Sequence, residues 1–176
     1  MVGRPRDARL DASIRTAADD LLCTAGYTRL TMERVAEQAS VPRSTLYARW
    51  PNKGELVAAI VARSIVPVLA ATAPDQALRA AFTECLEHAR GPYGAACALI
   101  VLEASDTQVA PPASLTAALD AHRDELRTLI ADAGLDTPGR LDELDRILAE
   151  LRAAPLSERF GATIDVDHCV CRVLQS

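Results

Sequence analysis

Aromatic side chains are scarce: two Phe, three Tyr and one Trp in 176 residues. Runs of β-branched residues are few as well, and no stretch alternates apolar with polar at the two-residue period of a half-buried strand. Sheet architectures are therefore excluded as the economical reading, and the abundance of Ala and Leu points to an all-α chain. Catalytic arrangements are missing too. The three histidines are isolated, and there is no nucleophile elbow, no phosphate-binding glycine loop and no HExxH pair. An enzyme is not expected, nor a cofactor. The sequence also begins without an apolar export segment. Its five cysteines (Cys23, Cys85, Cys97, Cys169, Cys171) are scattered and odd in number, so reduced thiols in a cytoplasmic protein are expected. Cys169-x-Cys171 is too close for an ordinary structural disulfide and too isolated for a zinc site. One segment, Leu56 to Ala73, is apolar enough to raise a membrane question, but Arg63 and Pro67 interrupt it. An arginine at a bilayer centre costs about 2.5–3.5 kcal/mol, so a buried helix is expected and no membrane contact.

What the sequence does hold is an uneven charge. Residues 1–53 carry nine Lys/Arg against six Asp/Glu, whereas residues 54–176 carry ten against eighteen. A basic third on an acidic body is the asymmetry of a chain in which only one domain faces phosphates. Within that basic third, Thr31 to Leu56 organises everything else. Met32, Val35, Ala36 and Ala39 recur at helical spacing; Thr31 is a good N-cap, and Leu30 with Val35 occupies the positions of a hydrophobic staple. Ser40-Val41-Pro42 breaks the pattern, and a second short helix should start at about Pro42 or Arg43 and stop before Pro51. Asn52 caps a further helix, with Glu55 at the capping-box position. On the second short helix Leu46 and Trp50 lie four apart and can face inward. Arg43, Ser44, Thr45, Tyr47 and Arg49 are left on the other side, all able to donate to phosphates or base edges. Two short helices joined by a tight turn form a helix-turn-helix, and its second helix can enter the DNA major groove. The competing reading is a plain helical hairpin with a solvated polar face. From Arg9 to Ala25 the residues Leu10, Ile14, Ala17, Leu21 and Leu22 mark one face of a bracing helix that Gly26 closes.

The pattern Val41-x-x-x-Thr45-Leu46-Tyr47-x-x-Trp50-x-x-Lys53-x-x-Leu56 resembles the DNA-binding signature of the tetracycline-repressor-type (TetR) family of bacterial transcription regulators. The resemblance covers Leu10 to Leu56. It implies an N-terminal three-helix helix-turn-helix domain (1–53, with a flexible arm at 1–8) and a helical ligand-binding and dimerisation domain (54–176). It also implies a set of contacts to double-stranded DNA. Thr31 and Lys53 would hold phosphates at helix N-termini, Tyr47 and Arg49 would touch the backbone, and Arg43, Ser44 and Thr45 would read base edges. Arg4 and Arg6, flanking Pro5, suit a minor-groove arm. Two departures stand in the turn: Ser40 replaces the usual glycine, and Pro42 replaces a common serine cap.

Beyond Leu56 the chain offers helical segments at about 76–90, 93–105, 114–133, 140–159 and 167–174. Ala95–Leu102 is apolar all round, which places it deep inside. With Phe82, Cys85, Leu86, Leu99 and Leu126 it would line the ligand cavity the resemblance implies, although the same residues would make a plain core equally well. Glu103, His88 and His122 are the polar groups available to such a cavity. By the same resemblance, the apolar stripes Leu141/Leu144/Ile147/Leu148/Leu151 and Val166/Val170/Val173/Leu174 would pair with a second subunit. The expected function is a homodimeric, sequence-specific repressor on a palindromic operator, released by a small hydrophobic effector. A C-terminal protein-interaction module without a ligand is the alternative. The chain ends at Ser176, somewhat short for the family.

Overall fold

The computed structural model describes residues 8–65, 73–158 and 161–176. Among these there are nine α-helices and no strand, as the lack of alternating segments implies. Helix α1 (Ala8–Ala25) buries Ile14, Ala17, Ala18, Leu21 and Leu22 along one face. It ends at Gly26, whose φ of 77° is open to glycine at little cost and whose N–H returns to Leu22 O at 3.0 Å. A single 3-10 turn, Tyr27–Arg29, leads into α2 (Met32–Gln38). Here the Thr31 side chain accepts from Arg34 N, and Leu30 and Val35 are both buried, the arrangement of a hydrophobic staple.

The turn into α3 (Arg43–Tyr47) turns on Ser40, which stands in the left-handed region at φ 55°. Val41 N–H closes it onto Ala36 O at 2.9 Å. Pro42 is the N-cap of α3 and supplies no side-chain hydrogen bond. Helix α4 (Lys53–Ser64) starts at Asn52, whose Oδ1 accepts from Glu55 N at 2.9 Å. It stops at Ser64, and Ile65 is extended. The remaining helices are α5 (Pro74–Arg90), α6 (Pro92–Thr107), α7 (Ala113–Asp132), α8 (Pro138–Ser157) and α9 (Val166–Gln175).

Apolar burial divides into two cores. The first joins α1 to α4 with Ala96, Cys97 and Ile100 of α6 and Leu115 of α7. The second joins α5, the C-terminal half of α7, α8 and α9 around Phe82, Leu126, Ile147 and Val170. Helix α6 thus lies against the helix-turn-helix unit and also packs on α5 and α8. Where α5 meets α6 the backbones come very close. A Cβ on Gly94 would stand 2.2 Å from Ala89 Cα and 2.5 Å from the carbonyl oxygens of Ala89 and His88. Only a residue without a side chain fits there.

Two expectations change. Helix α6 is buried at Gly94, Ala96, Cys97, Ala98 and Ile100 but carries Val101 and Leu102 at the surface, 37% and 52% exposed. Its C-terminal half runs past the helices that cover its start. The stripes expected to meet a second subunit are already used: Leu144, Ile147, Leu148, Leu151, Val170 and Val173 are buried in the subunit's own core, with Leu141, Val166 and Leu174 packed against it. α8 and α9 spend these residues on α5, so a partner would have to meet other faces.

Candidate nucleic-acid interface and internal cavity

The short helix α3 is anchored chiefly by Leu46. Leu46 is fully buried and Trp50 packs partly buried against the same core, which fixes the rotation of the helix. That rotation leaves Arg43, Ser44 and Tyr47 exposed and Thr45 half-buried. Tyr47 is 44% exposed, a rare state for a large aromatic side chain among the described residues. Arg43 lies 3.7 Å from Glu33 of α2 with both side chains open to solvent, a pair of little strength that leaves the guanidinium available. Thr31 is exposed at the start of α2.

Arg49 and Lys53 are less free than their positions suggest. Arg49 Nε donates to Asp11 Oδ1 of α1 at 2.6 Å and its Nη1 to Thr45 O, and the side chain is only 18% exposed. It ties the end of α3 to the bracing helix. Lys53 Nζ lies 3.3 Å from Tyr27 O and 3.9 Å from the centre of the Tyr27 ring, a cation–π geometry. Arg4 and Arg6 lie outside the described residues.

The Tyr27 ring is the hub of this corner. It is buried, and its hydroxyl donates to Glu103 Oε2 of α6 at 2.8 Å. Burial, reinforced by the Glu103 carboxylate, pushes its pKa up, so it remains a phenol that donates. A second clasp lies at the other end of α6: Tyr93 Oη donates to Asp19 Oδ1 of α1 at 2.8 Å, with Cys23 Sγ at 3.7 Å. Tyr93 in turn stacks on His88, with centroids 6.2 Å apart and planes 11° from parallel.

His88 leads to an internal cavity of about 60 Å³ between α4, α5, α6, α7 and α8, lined among others by Val61, Cys85, His88, Cys97, His122 and Arg152. Of the residues expected around a ligand, Cys85, His88 and His122 line it. The others sit elsewhere. Phe82, Leu86 and Leu126 are sealed in the second core, Leu99 packs against the first, and Glu103 is exposed and bonded to Tyr27. Large apolar side chains at helical spacing are consumed by core packing, and Glu103 lies on the side of α6 that meets Tyr27. Cys85 Sγ is 3.7 Å from His122 Nε2. Burial pushes the Cys85 thiol up to about 11, so it stays protonated and weakly nucleophilic. Burial also lowers the pKa of His88, and of His122 with help from Arg152; both rings are held neutral.

Arg152 was not singled out in the sequence, although Leu144, Leu148 and Arg152 stand four apart and the arginine continues the inward stripe. Cys97, Leu119 and Arg152 also line a groove of about 350 Å³ on the outer side, between α6, α7 and α8. They form the wall between cavity and groove.

A bracing helix, two short helices at a tight turn and an exposed polar second helix define a helix-turn-helix unit. Comparison with known proteins agrees. Residues 14–60 match the family model for bacterial regulatory proteins of the tetR family. An uncharacterized HTH-type transcriptional regulator, YdeS of Bacillus subtilis, is 40% identical over 55 residues, 31% of this chain and 28% of that protein. The chain thus matches under a third of the length of this curated relative. Over nearly the whole chain the fold is that of a HlyIIR mutant protein (TM-score 0.62, 14% identity, 96% and 97% of the two chains covered). It is shared also with the flavonoid-responsive regulator FrrA (0.54, 19%, 96% and 93%). Residues 14–60 are thus similar to the DNA-binding domain of the tetR family of bacterial regulatory proteins. Among the described residues no helix is long and apolar enough to cross a membrane.

Proposed function

We propose that the protein is a homodimeric repressor that binds a roughly palindromic operator and leaves it when a small apolar molecule enters the C-terminal region. The observation that carries the DNA half is the rotation of α3: Leu46 fully buried while Arg43, Ser44 and Tyr47 face solvent. Arg43, Ser44 and Thr45 read base edges, and Tyr47, Thr31 and Lys53 hold the backbone. Arg49 acts mainly by fixing α3 to α1 through Asp11. The arm residues Arg4 and Arg6 enter the minor groove. Two copies place their recognition helices one DNA turn apart, which matches half-sites about 10 base pairs apart.

The cavity and the two tyrosine clasps favour a ligand-responsive C-terminal domain (54–176) over a plain interaction module. His88 faces the cavity, Tyr93 stacks on His88, and Tyr93 holds α1, so a change in the cavity reaches the DNA-binding unit through packed groups.

Fluorescence anisotropy on operator and scrambled duplexes across a salt series tests the DNA roles. Lys53→Ala should weaken binding on every sequence and reduce the salt slope by about one. Tyr47→Ala should weaken all sequences, and Arg43→Ala should cost about 1–3 kcal/mol and relax preference at one base step. Unchanged affinity for both the Tyr47 and Lys53 variants refutes the assignment.

A further inference from the structure

The cavity contains a charge with no obvious structural use. Arg152 projects from α8 into the wall shared by the cavity and the outer groove. Its one hydrogen bond among the described residues is from Nη2 to the backbone oxygen of Leu119, at 3.2 Å. No ion pair joins it to a described carboxylate. Other arginines of the same region are paired: Arg127 with Asp145, Arg172 with Glu143 and Glu150, Arg90 with Glu158. A largely buried guanidinium that lacks a carboxylate is costly unless something completes it. Close by, Nε2 of His88 is buried with no hydrogen-bond partner. Two polar groups, one cationic and one neutral, thus converge on an apolar space.

The volumes say how a ligand would use them. The cavity, at about 60 Å³, holds no more than a small group, but the groove on the other side of Arg152 offers about 350 Å³. Joined by a shift of the Arg152 side chain, the two fall in the range of small organic ligand sites. The groove is walled by apolar groups, including the exposed Val101 and Leu102 and the half-buried Leu156. The charge balance also selects. Glu84 lines the cavity, and Asp120 contributes a negative field at Arg152, so a doubly charged phosphate would be opposed about twice as strongly as a single negative charge.

We propose that the effector is an apolar monocarboxylate, its carboxylate bound by Arg152 with His88 as second donor, its hydrocarbon body lying in the groove of Val101, Leu102 and Leu156. This rests on the ligand-responsive reading above and names the chemistry of that site. A guanidinium binds a carboxylate through two parallel hydrogen bonds, and the groove removes the chain from water. Ligand entry displaces the wall beside Cys97 on α6, the helix that carries both tyrosine clasps.

The test uses the full chain and three probes of one chain length, octanoate, octan-1-ol and octylamine, below micelle-forming concentrations. Thermal shift and isothermal titration measure binding, and operator anisotropy measures release. Octanoate should stabilise the protein and bind at least tenfold more tightly than the alcohol or the amine. Arg152→Gln should bring octanoate down to the level of octan-1-ol, and Arg152→Lys should restore part of the difference. Val101→Trp, which fills the groove without touching the charge, should lower octanoate affinity at least tenfold and keeps the test decisive if Arg152→Gln does not fold. Equal binding of all three probes, or full octanoate affinity in Arg152→Gln, overturns the carboxylate assignment and leaves ligand response standing. Binding of none of them, with operator affinity unaltered throughout, overturns both.

Discussion

Gly94→Ala sets two effects of opposite sign against each other. Gly94 lies inside α6, and by helix propensity alone alanine should stabilise by about 0.8–1 kcal/mol. The geometry opposes this. The new methyl would stand 2.2 Å from Ala89 Cα and 2.5 Å from two carbonyl oxygens, so α5 and α6 must part by roughly 0.8 Å to reach even 3.0 Å. None of the three atoms belongs to a side chain that can rotate away. Inserting one carbon into a close-packed contact costs about 1–3 kcal/mol, and a backbone contact belongs at the upper end. Destabilisation should win by about 1–2 kcal/mol, a fall in Tm of a few degrees at about 2–4 °C per kcal/mol for a chain of this size. Gly139→Ala is the control: its Cβ would meet Ser176 O at an ordinary 3.5 Å, so it should be neutral or stabilising by a few tenths of a kcal/mol. Urea denaturation at constant m-value measures both. A Gly94→Ala protein more stable than the parent, or a Gly139→Ala loss of equal size, would refute the close-approach argument.

Three further outcomes follow from the geometry. Ser40→Gly should raise stability by about 0.5–1 kcal/mol, because Ser40 holds φ 55° where glycine is at ease; a loss of stability in calorimetry would show that the serine hydroxyl compensates. Tyr27→Phe removes the donor to Glu103 and should cost about 1 kcal/mol, less than a buried bond to a charged group because the exposed Glu103 resolvates. Wild-type stability there would mean the clasp is not formed in solution. The neutral, burial-depressed rings of His88 and His122 take up protons more readily when unfolded. Stability should therefore be full above the ordinary histidine range near 6.5 and decline as pH falls through it. A flat Tm between pH 7.5 and 5.5, or a decline undiminished in His88→Gln/His122→Gln, would contradict this.

Local signals in the sequence decided the N-terminal half. Capping by Thr31 and Asn52, the Leu30/Val35 staple, the strained Ser40 and the inward Leu46 all depend on neighbours within five residues, and each stands where its residue type predicts. The helices beyond were legible as helices for the same reason. Which of their apolar residues face one another was not, since Phe82, Leu86 and Leu126 look alike as core or as lining until α5 and α7 are set side by side. Arg152 was legible only as a misfit in a leucine stripe. The bonds of Tyr27 to Glu103 and Tyr93 to Asp19 span more than seventy residues, and no spacing rule reaches that far.

The Tyr27 ring has an implication for anyone exchanging modules between regulators. Its face carries Lys53 and its hydroxyl is held by Glu103, so the helix-turn-helix unit is completed by a carboxylate that lies fifty residues past Lys53 in the chain. A chimera cut after Lys53 would leave that phenol ungripped and the lysine against it loosely aimed. Grafts that import an acidic side chain at the facing turn of the new host should keep operator grip; those that do not should lose it without any change in the unit itself.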